Sequence, residues 1–392
     1  MSELPFPEPD EPVAPTSPES LKRRIDAGES VTVLDVRAAS EYEAWHIDGE
    51  TVETANVPYF AFLDGASDAV LDRVPDADEL VVVCAKGESS RFVAGLLAEA
   101  GYDATNLERG MRGWASLYEY DELDADTDAV VAQYRRPSSG CLAYMVVSEG
   151  EAAVVDPLRA FTDEYVQDAK TMGASIEYVL DTHVHADHVS GLRTLADAAG
   201  ATALMPAPAV ARGVDYAVET VADGDSLTVG AVDIDVLHTP GHTSGMTAYL
   251  VDDSVLLTGD TLFTESVARP DLEEGADGAA DAAATLHDTL QDLQQLRDDT
   301  LVAPAHFSDA ATPRPDGTYA ARLGDLVESM PALSLDREAF VAFVLDDMPP
   351  RPSNYEAIIA ANLGHEAPDD ATAFELELGP NNCAASREAI TE

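Results

Sequence analysis

The feature of this sequence that most constrains its fold is a set of histidines and aspartates spread over four distant segments. Residues 181–188 have the sequence DTHVHADH and directly follow the strand-like run IEYVL. Three later segments add His242 in TPGHT, Asp260 in TGD and His306 in PAH. Imidazole and carboxylate groups without thiolate are typical ligands of zinc, iron or manganese. We therefore expect a fold that brings the four segments together at one metal centre.

The pattern of apolar runs divides the chain into two domains. Residues 18–117 alternate short β-branched runs, such as VTVLDV and ELVVVC, with helix-like segments, which predicts an α/β domain with a parallel sheet. Residues 130–392 contain many closely spaced strand candidates with few helices between them, which predicts an α+β sandwich followed by a helical tail. The acidic run 118–129 is interpreted as a linker, and the proline-rich residues 1–17 as a disordered lead.

The charge of the chain restricts its partners. With 74 acidic and 22 basic residues among 392, the net charge is −52, which argues against binding to nucleic acid or to anionic lipid. No apolar run approaches the roughly 20 residues of a membrane span, and the start lacks the pattern of a secretion signal, so we expect a cytoplasmic protein. Acidic residues occur in every segment, as is typical of halophilic proteins, whose self-repulsion is screened by salt. The sequence is compatible with a homo-oligomer but does not fix the oligomeric state.

The three cysteines, Cys84, Cys141 and Cys383, are too few and too far apart to predict a disulfide framework. Cys84 ends a buried strand and precedes the loop AKGESS and a helix. This arrangement surrounds the sulfur with backbone N–H groups at a helix N-terminus, where a thiolate or a persulfide anion is stabilised. Gly87 permits the tight loop. A buried, inert strand-end cysteine is the alternative interpretation.

Residues 18–117 resemble a single rhodanese domain. The resemblance rests on four segments that occur in order: DVRAASEYEAWHI, NVP, CAKGESS and ERGMRGW. It implies sulfur transfer through a persulfide on Cys84, with Lys86, Gly87 and Arg91 as substrate-binding residues. Glu88 opposes simple anions such as thiosulfate, so we expect a different persulfide donor. The alternative is a persulfide carrier or docking module without turnover.

The second domain resembles the metallo-β-lactamase superfamily. The ordered set Asp156, THVHADH, TPGHT, TGD and PAH carries the resemblance, which implies an αββα sandwich with a metal site between the sheet edges. In the dinuclear hydrolases of the superfamily, matching residues hold two metals and share one bridging aspartate. The resemblance would place His183, His185 and His242 on one metal, Asp187, His188 and His306 on the other, and Asp260 between them.

Within that superfamily, the segments GDTLFTESVARPDL and MPPRPSNYEAIIAANLG resemble persulfide dioxygenases. The resemblance implies one Fe(II) per chain on His183, His242 and Asp260, with open positions for O₂ and a substrate sulfur. It also suggests that Arg269 and Asp271 form an ion pair that orients Asp260 or meets a substrate carboxylate, although an ordinary loop salt bridge is an alternative. The sequence departs from the family pattern at residue 268, where alanine replaces glycine.

Together the two resemblances imply an enzyme of sulfur metabolism. The iron domain would oxidise a low-molecular-weight thiol persulfide with O₂, giving sulfite and free thiol. Cys84 would move sulfur to or from the same pool, for example between sulfite and thiosulfate. The alternative is a glyoxalase II-type thioester hydrolase, in which the same side chains hold two zinc ions and generate an attacking hydroxide.

Overall fold

A computed structural model describes residues 6–7, 9, 12–273, 275–308, 310–346, 348–379 and 383–385. The chain forms two compact units, Met1–Leu117 and Tyr118–Glu392. Residues 1–5, 8 and 10–11 of the predicted disordered lead lie outside the described residues. The prediction of disorder is wrong for Pro15–Thr16, which form a strand hydrogen-bonded to the sheet of the first unit.

The first unit is a parallel sheet with helices on both faces. Its strands are β1 (Pro15–Thr16), β2 (Val31–Asp35), β3 (Val52–Asn56), β4 (Leu80–Val83) and β5 (Ala104–Leu107). Its helices are α1 (Pro18–Asp26), α2 (Ala39–Ala44), α3 (Asp68–Leu71), α4 (Glu88–Glu99) and α5 (Gly110–Ala115). The strand order is β1-β5-β4-β2-β3, and every neighbouring pair is parallel.

The apolar run in β4 explains why this sheet is covered on both sides. Val81 and Val83 point into one core cluster, whereas Leu80 and Val82 point into the other. Because successive side chains of a strand face opposite ways, an unbroken apolar run requires packing on both faces. The predicted α/β domain with a parallel sheet is confirmed.

The second unit contains two sheets. The seven-stranded sheet comprises β6 (Glu119–Glu122), β7 (Val130–Arg136), β8 (Cys141–Ser148), β9 (Glu151–Val155), β10 (Ser175–Leu180), β11 (Thr202–Pro206) and β12 (Glu219–Val221). The six-stranded sheet comprises β13 (Ser226–Val229), β14 (Val232–His238), β15 (Thr247–Val251), β16 (Val255–Gly259), β17 (Leu301–Pro304) and β18 (Ala321–Arg322). The helices are α6 (Thr162–Thr171), α7 (Leu192–Ala199), α8 (Ala207–Val210), α9 (Gly275–Leu293), α10 (Leu323–Ser329), α11 (Arg337–Asp346), α12 (Tyr355–Asn362) and α13 (Asp370–Leu376).

The two sheets pack face to face between layers of helices. Tyr144 of the first sheet and Val236 and Leu257 of the second belong to one shared core cluster. Residues of α6 and α7 share a second cluster with the outer face of the first sheet, and residues of α9–α11 share a third with strand β17 of the second. This four-layer arrangement confirms the predicted αββα sandwich. Across the described ranges, no helix has both the length and the apolar character needed to cross a bilayer.

The interpretation of residues 118–129 as a linker is wrong for β6, an edge strand of the seven-stranded sheet. Tyr120 lies opposite Tyr134 of β7 in an antiparallel pair, and Tyr118 stacks on Phe161 with ring centroids 3.9 Å apart. The two tyrosines alternate with Glu119 and Asp121, so a strand period of two was hidden within a charge run.

Candidate metal centre and cysteine pocket

The predicted ligands gather where several strands end. β10, β16 and β17 are each followed within a few residues by a predicted ligand, and β16 and β17 are parallel neighbours. Because parallel strands bring their carboxyl ends to the same sheet edge, β16 and β17 place Asp260 next to His306. All seven predicted side chains are buried, none more than 8% exposed: His183, His185, Asp187, His188, His242, Asp260 and His306.

Three ligand atoms face one another at the centre of this group. Asp260 Oδ2 lies 3.7 Å from His183 Nε2 and 3.5 Å from His242 Nε2. Within the described part of the chain, none of these three buried atoms has a hydrogen-bond partner. Ligand atoms about 2.1 Å from a tetrahedral metal lie roughly 3.4 Å apart, so the trio fits a single divalent cation. A buried carboxylate oxygen and two imidazole nitrogens left without a partner are costly unless an ion satisfies them.

Two hydrogen bonds set the tautomers of the two histidines. The Thr182 hydroxyl donates to Asp156 Oδ2 over 2.9 Å, so it can only accept from His183 Nδ1, 2.9 Å away. His242 Nδ1 donates to the backbone carbonyl of Arg269 over 2.9 Å. Both imidazoles therefore carry their lone pair on Nε2, the atom that faces Asp260. Burial lowers the pKa of His242, and that of His183 well below its usual range, which keeps both rings neutral and able to bind a metal.

His306 is engaged on both ring nitrogens. Nδ1 lies 2.5 Å from Asp260 Oδ1, and Nε2 lies 2.8 Å from Asp187 Oδ2. Since carboxylates only accept, both nitrogens donate and the ring is an imidazolium. Burial opposes that charge, but Asp260 and Asp187 outweigh it and raise the pKa of His306 well above its usual range. His306 thus links two carboxylates and does not direct a free nitrogen at the trio.

The remaining predicted ligands form a neighbouring cluster. His188 Nδ1 lies 3.0 Å from Asp187 Oδ2, and His185 Nε2 lies 3.0 Å from Asp156 Oδ1. Their other nitrogens, together with Asp187 Oδ1, are buried and have no hydrogen-bond partner among the described residues. Asp187 and His188 lie close enough to Cys141 and His306 for these four residues to hold a second cation.

Sequence reasoning missed the two thiols at this centre. Cys141 is buried, and its Sγ donates to Asp187 Oδ2 over 3.2 Å. Cys383 lies within ligand distance of Asp260 and His306. Burial, reinforced by nearby carboxylates, raises the pKa of the Cys383 thiol well above its usual value. A single antiparallel β-bridge pairs the backbones of Cys141 and His306, and another pairs Ala268 with Ala384 near the C-terminus. Sequence patterns within one segment cannot predict such pairings.

The predicted pair of Arg269 and Asp271 forms. Arg269 Nε donates to Asp271 Oδ1 over 2.8 Å, and Arg351 Nε donates to Asp271 Oδ2 over 3.1 Å. The Arg269 carbonyl orients His242, a connection that the sequence did not suggest. Ala268, the departure from the family pattern, is fully buried and donates its backbone N–H to Thr261.

A cavity of about 250 Å³ adjoins His242 and is open on one side. Its lining combines apolar groups with the acidic side chains Glu273 and Asp281. Ser244 donates its hydroxyl to Glu273 over 2.8 Å, which fixes one wall.

In the first unit, Cys84 follows β4 and is 4% exposed. Its Sγ accepts the Gly87 N–H over 3.0 Å and lies 3.1 Å from Ser90 Oγ. Gly87 has φ +90°, and a Cβ there would lie 2.9 Å from the Arg109 backbone nitrogen. Lys86, Gly87 and Arg91, the predicted substrate-binding residues, line an adjacent cavity of about 800 Å³.

Family comparison assigns both units. The model of the metallo-beta-lactamase superfamily matches residues 137–306, and that of the rhodanese-like domain matches residues 17–117. The hydroxyacylglutathione hydrolase of Rhodospirillum rubrum is 32% identical over 49% of this chain and 70% of its own length. The chain belongs to the metallo-β-lactamase superfamily. Its first unit is a rhodanese-like domain, so the predicted combination of families is confirmed.

Other relatives of this protein are named for a different enzyme activity. The human mitochondrial persulfide dioxygenase ETHE1 is 28% identical over 54% of this chain and 78% of its own length. The crystal structure of ETHE1 from Myxococcus xanthus superposes with a TM-score of 0.53 at 28% identity, covering 60% of this chain and 98% of that one. A Staphylococcus aureus metallo-beta-lactamase, with a TM-score of 0.55 at 24% identity, shares the fold.

Proposed function

We propose that this member of the metallo-β-lactamase superfamily is an iron-dependent persulfide dioxygenase with a sulfurtransferase domain. Its reaction would convert a low-molecular-weight thiol persulfide, O₂ and water into the free thiol, sulfite and two protons. The observation that carries the proposal is the trio of His183, His242 and Asp260, whose three unsatisfied atoms surround one point. Two imidazoles and one carboxylate on one face of a cation are typical of non-haem iron oxygenases. The likeness to ETHE1 in sequence and in structure supports the same activity.

The chain's own residues would hold and orient the reactants. Fe(II), when bound, would supply adjacent coordination positions and electrons for O₂ and sulfur. Thr182 and the Arg269 carbonyl fix the rings of His183 and His242, so their lone pairs need no reorientation. The cavity beside His242 would seat the thiol carrier and limit the approach of water to the sulfur.

The rhodanese-like domain would exchange sulfane sulfur with the same persulfide pool. The Gly87 N–H and the N-terminus of α4 favour negative charge on the Cys84 sulfur. Sulfane sulfur bound to Cys84 could pass to sulfite, giving thiosulfate, or to a thiol. A carrier or docking module without turnover is the alternative for this domain. That alternative predicts no sulfurtransferase activity in the unmodified chain, so Cys84→Ser would change nothing.

The competing function is a dinuclear zinc thioester hydrolase of the glyoxalase II type. It is favoured by the 32% identity to hydroxyacylglutathione hydrolase and by the unpaired atoms of His185, His188 and Asp187. It requires His306 to release a carboxylate and bind a metal, whereas His306 bonds to Asp187 and Asp260. The unpartnered trio of His183, His242 and Asp260 and the likeness to ETHE1 favour the single-metal function.

Oxygen uptake distinguishes the two functions. Iron-reconstituted protein should consume about one O₂ per glutathione persulfide and release sulfite, with about one iron bound per chain. Zinc-loaded protein given S-lactoylglutathione provides the comparison for hydrolysis. An iron-replete sample that takes up no O₂, beside a two-zinc sample that cleaves the thioester, would overturn the proposal. Cys84→Ser should leave the O₂ uptake unchanged, since Cys84 lies outside the metal centre.

A further inference from the structure

The cavity beside the loop that follows Cys84 has a wall built from residues near the N-terminus. Phe6, Pro7, Val13 and Pro15 line one side of this cavity of about 800 Å³. We infer that this segment, called the N-terminal wall below, is a specificity determinant for organic thiol persulfides that carry carboxylate groups, as against inorganic donors such as thiosulfate. The inference rests on the proposed sulfur transfer at Cys84 and adds the class of donor.

The N-terminal wall is held in place by its own contacts. The Phe6 ring packs on Tyr59 and Phe92, with centroid distances of 5.4 and 5.7 Å. Pro9 packs so closely on α4 that a Cβ at Gly95 would lie 2.5 Å from its Cβ, so only glycine leaves room there. Strand β1 then pairs with β5 and continues into helix α1. Phe6 and the other described residues of the N-terminal wall can therefore present a preorganised apolar surface to a ligand.

The size of the cavity accommodates an organic donor. Pockets that bind drug-sized ligands typically measure about 300–1,000 Å³, and this cavity lies within that range. A peptide-like carrier would fill much of this space and contact Phe6 and Pro7, whereas an ion as small as thiosulfate would leave most of it empty.

The charged side chains around the cavity indicate which charged groups the thiol carrier has. Lys86, Arg91 and Arg109 line it, although the whole chain contains only 22 basic residues. Glu88 and Glu108 lie among them. Three basic groups would attract carboxylates, and the two acidic groups would accept an ammonium group while disfavouring a compact dianion. This mixed lining suits a zwitterionic, peptide-like thiol.

The transfer balances without any further reactant. The Cys84 thiolate would attack the outer sulfur of the persulfide R–S–SH, forming a new S–S bond at Sγ. The S–S bond within the donor would break, its electron pair leaving on the carrier as the thiolate R–S⁻. The proton stays on the transferred sulfur, and nothing is oxidised or reduced overall.

Phe6→Ala tests the N-terminal wall, and Phe60→Ala is a matched control because Phe60 is 60% exposed and does not line the cavity. Sulfur transfer to cyanide is measured in the full chain with glutathione persulfide and, separately, with thiosulfate. Phe6→Ala should raise the KM for glutathione persulfide about five- to tenfold, as expected for a lost apolar contact. In Phe6→Ala, the KM for thiosulfate should stay within about twofold of that of the unmodified chain. In Phe60→Ala, the KM values for both donors should do so. Equal changes for both donors, or no change, would overturn the inference.

A second measurement separates this inference from the proposed sulfur transfer. S-Methylglutathione, which cannot react, should protect Cys84 from iodoacetamide, with the labelled peptide quantified by mass spectrometry. Phe6→Ala should raise the half-protecting concentration at least about fivefold, as the same lost contact predicts, and Phe60→Ala should not. If the protein shows no sulfur transfer but this protection pattern is observed, the proposed sulfurtransferase activity is wrong and the role of the N-terminal wall in ligand binding is supported. Absence of protection in the unmodified chain would refute the inferred role of the N-terminal wall, whether or not the protein transfers sulfur.

Discussion

Asp260 carries the negative charge on which the proposed iron site depends. Its Oδ2 faces His183 and His242, and its Oδ1 accepts from His306. Asp260→Asn keeps the shape but replaces a metal-binding oxyanion, so we expect iron content after reconstitution and dialysis to fall from about one to below about 0.1 per chain. His238→Ala is the control, since His238 is exposed and its ring donates only to the Ser244 carbonyl among the described residues. Full iron content in Asp260→Asn would contradict the assignment of this ligand.

Gly87 controls the geometry of the sulfur loop. A side chain at this position meets the Arg109 backbone 2.9 Å away, so Gly87→Ala should displace the N–H that bonds to Cys84. We expect kcat of sulfur transfer to fall about tenfold or more, as when other anion-stabilising donors are removed. Gly65→Ala is the matched control, because Gly65 also has a positive φ, +97°, but has open space around it. Both variants should lose about 1–2 kcal/mol of stability, and only Gly87→Ala should lose activity. Equal activity in the two variants would exclude a role for the loop geometry.

At the scale of elements, helix α12 supports the loop that follows β10. Asn362, at the end of α12, donates to the carbonyls of His185 and His188 over 3.0 and 2.9 Å and accepts from the Ser190 N–H over 2.9 Å. Asn362→Ala removes all three bonds while leaving every ligand in place. Loss of such outer contacts typically weakens metal binding about 10- to 100-fold, which competition with a chelator would measure. Glu356→Ala, on an exposed position of the same helix, should bind metal normally. A lower melting temperature with unchanged metal affinity would mean that Asn362 supports only the fold.

The same helix shows where sequence reasoning reached its limit. The ligand motifs were recognisable because each follows an apolar strand. Strand spacing predicted an α+β sandwich, and the resemblance to the superfamily implied the αββα order. Asn362, by contrast, contacts His185 across 177 residues, and Glu377 accepts the Val189 N–H across 188 residues. Such pairings leave no local period, and the C-terminal segment that carries Cys383 has none either. The residues that orient the centre were therefore hidden, whereas those predicted to bind the metal were visible.

Across the whole molecule, the dominant physical property is a net charge of −52. We propose that this surface is adapted to a high-salt cytoplasm, as its wide distribution of acidic residues suggests. The screening length falls from about 10 Å at 0.1 M salt to about 3 Å at 1 M, which removes repulsion between neighbouring carboxylates. Each kcal/mol of relieved repulsion would raise the Tm by roughly 2–8 °C, depending on the size of the unit.

Calorimetry in 0.1, 0.5 and 2 M KCl measures this effect, and sucrose at equal osmolality is the uncharged control because it stabilises only by exclusion from the surface. Acidic residues are spread through both units, so unfolding of each should shift upward with KCl. The shift should be largest between the two lower concentrations, where the screening length changes most. Stabilisation by KCl no greater than that by sucrose would show that repulsion among the carboxylates does not limit the stability of this protein.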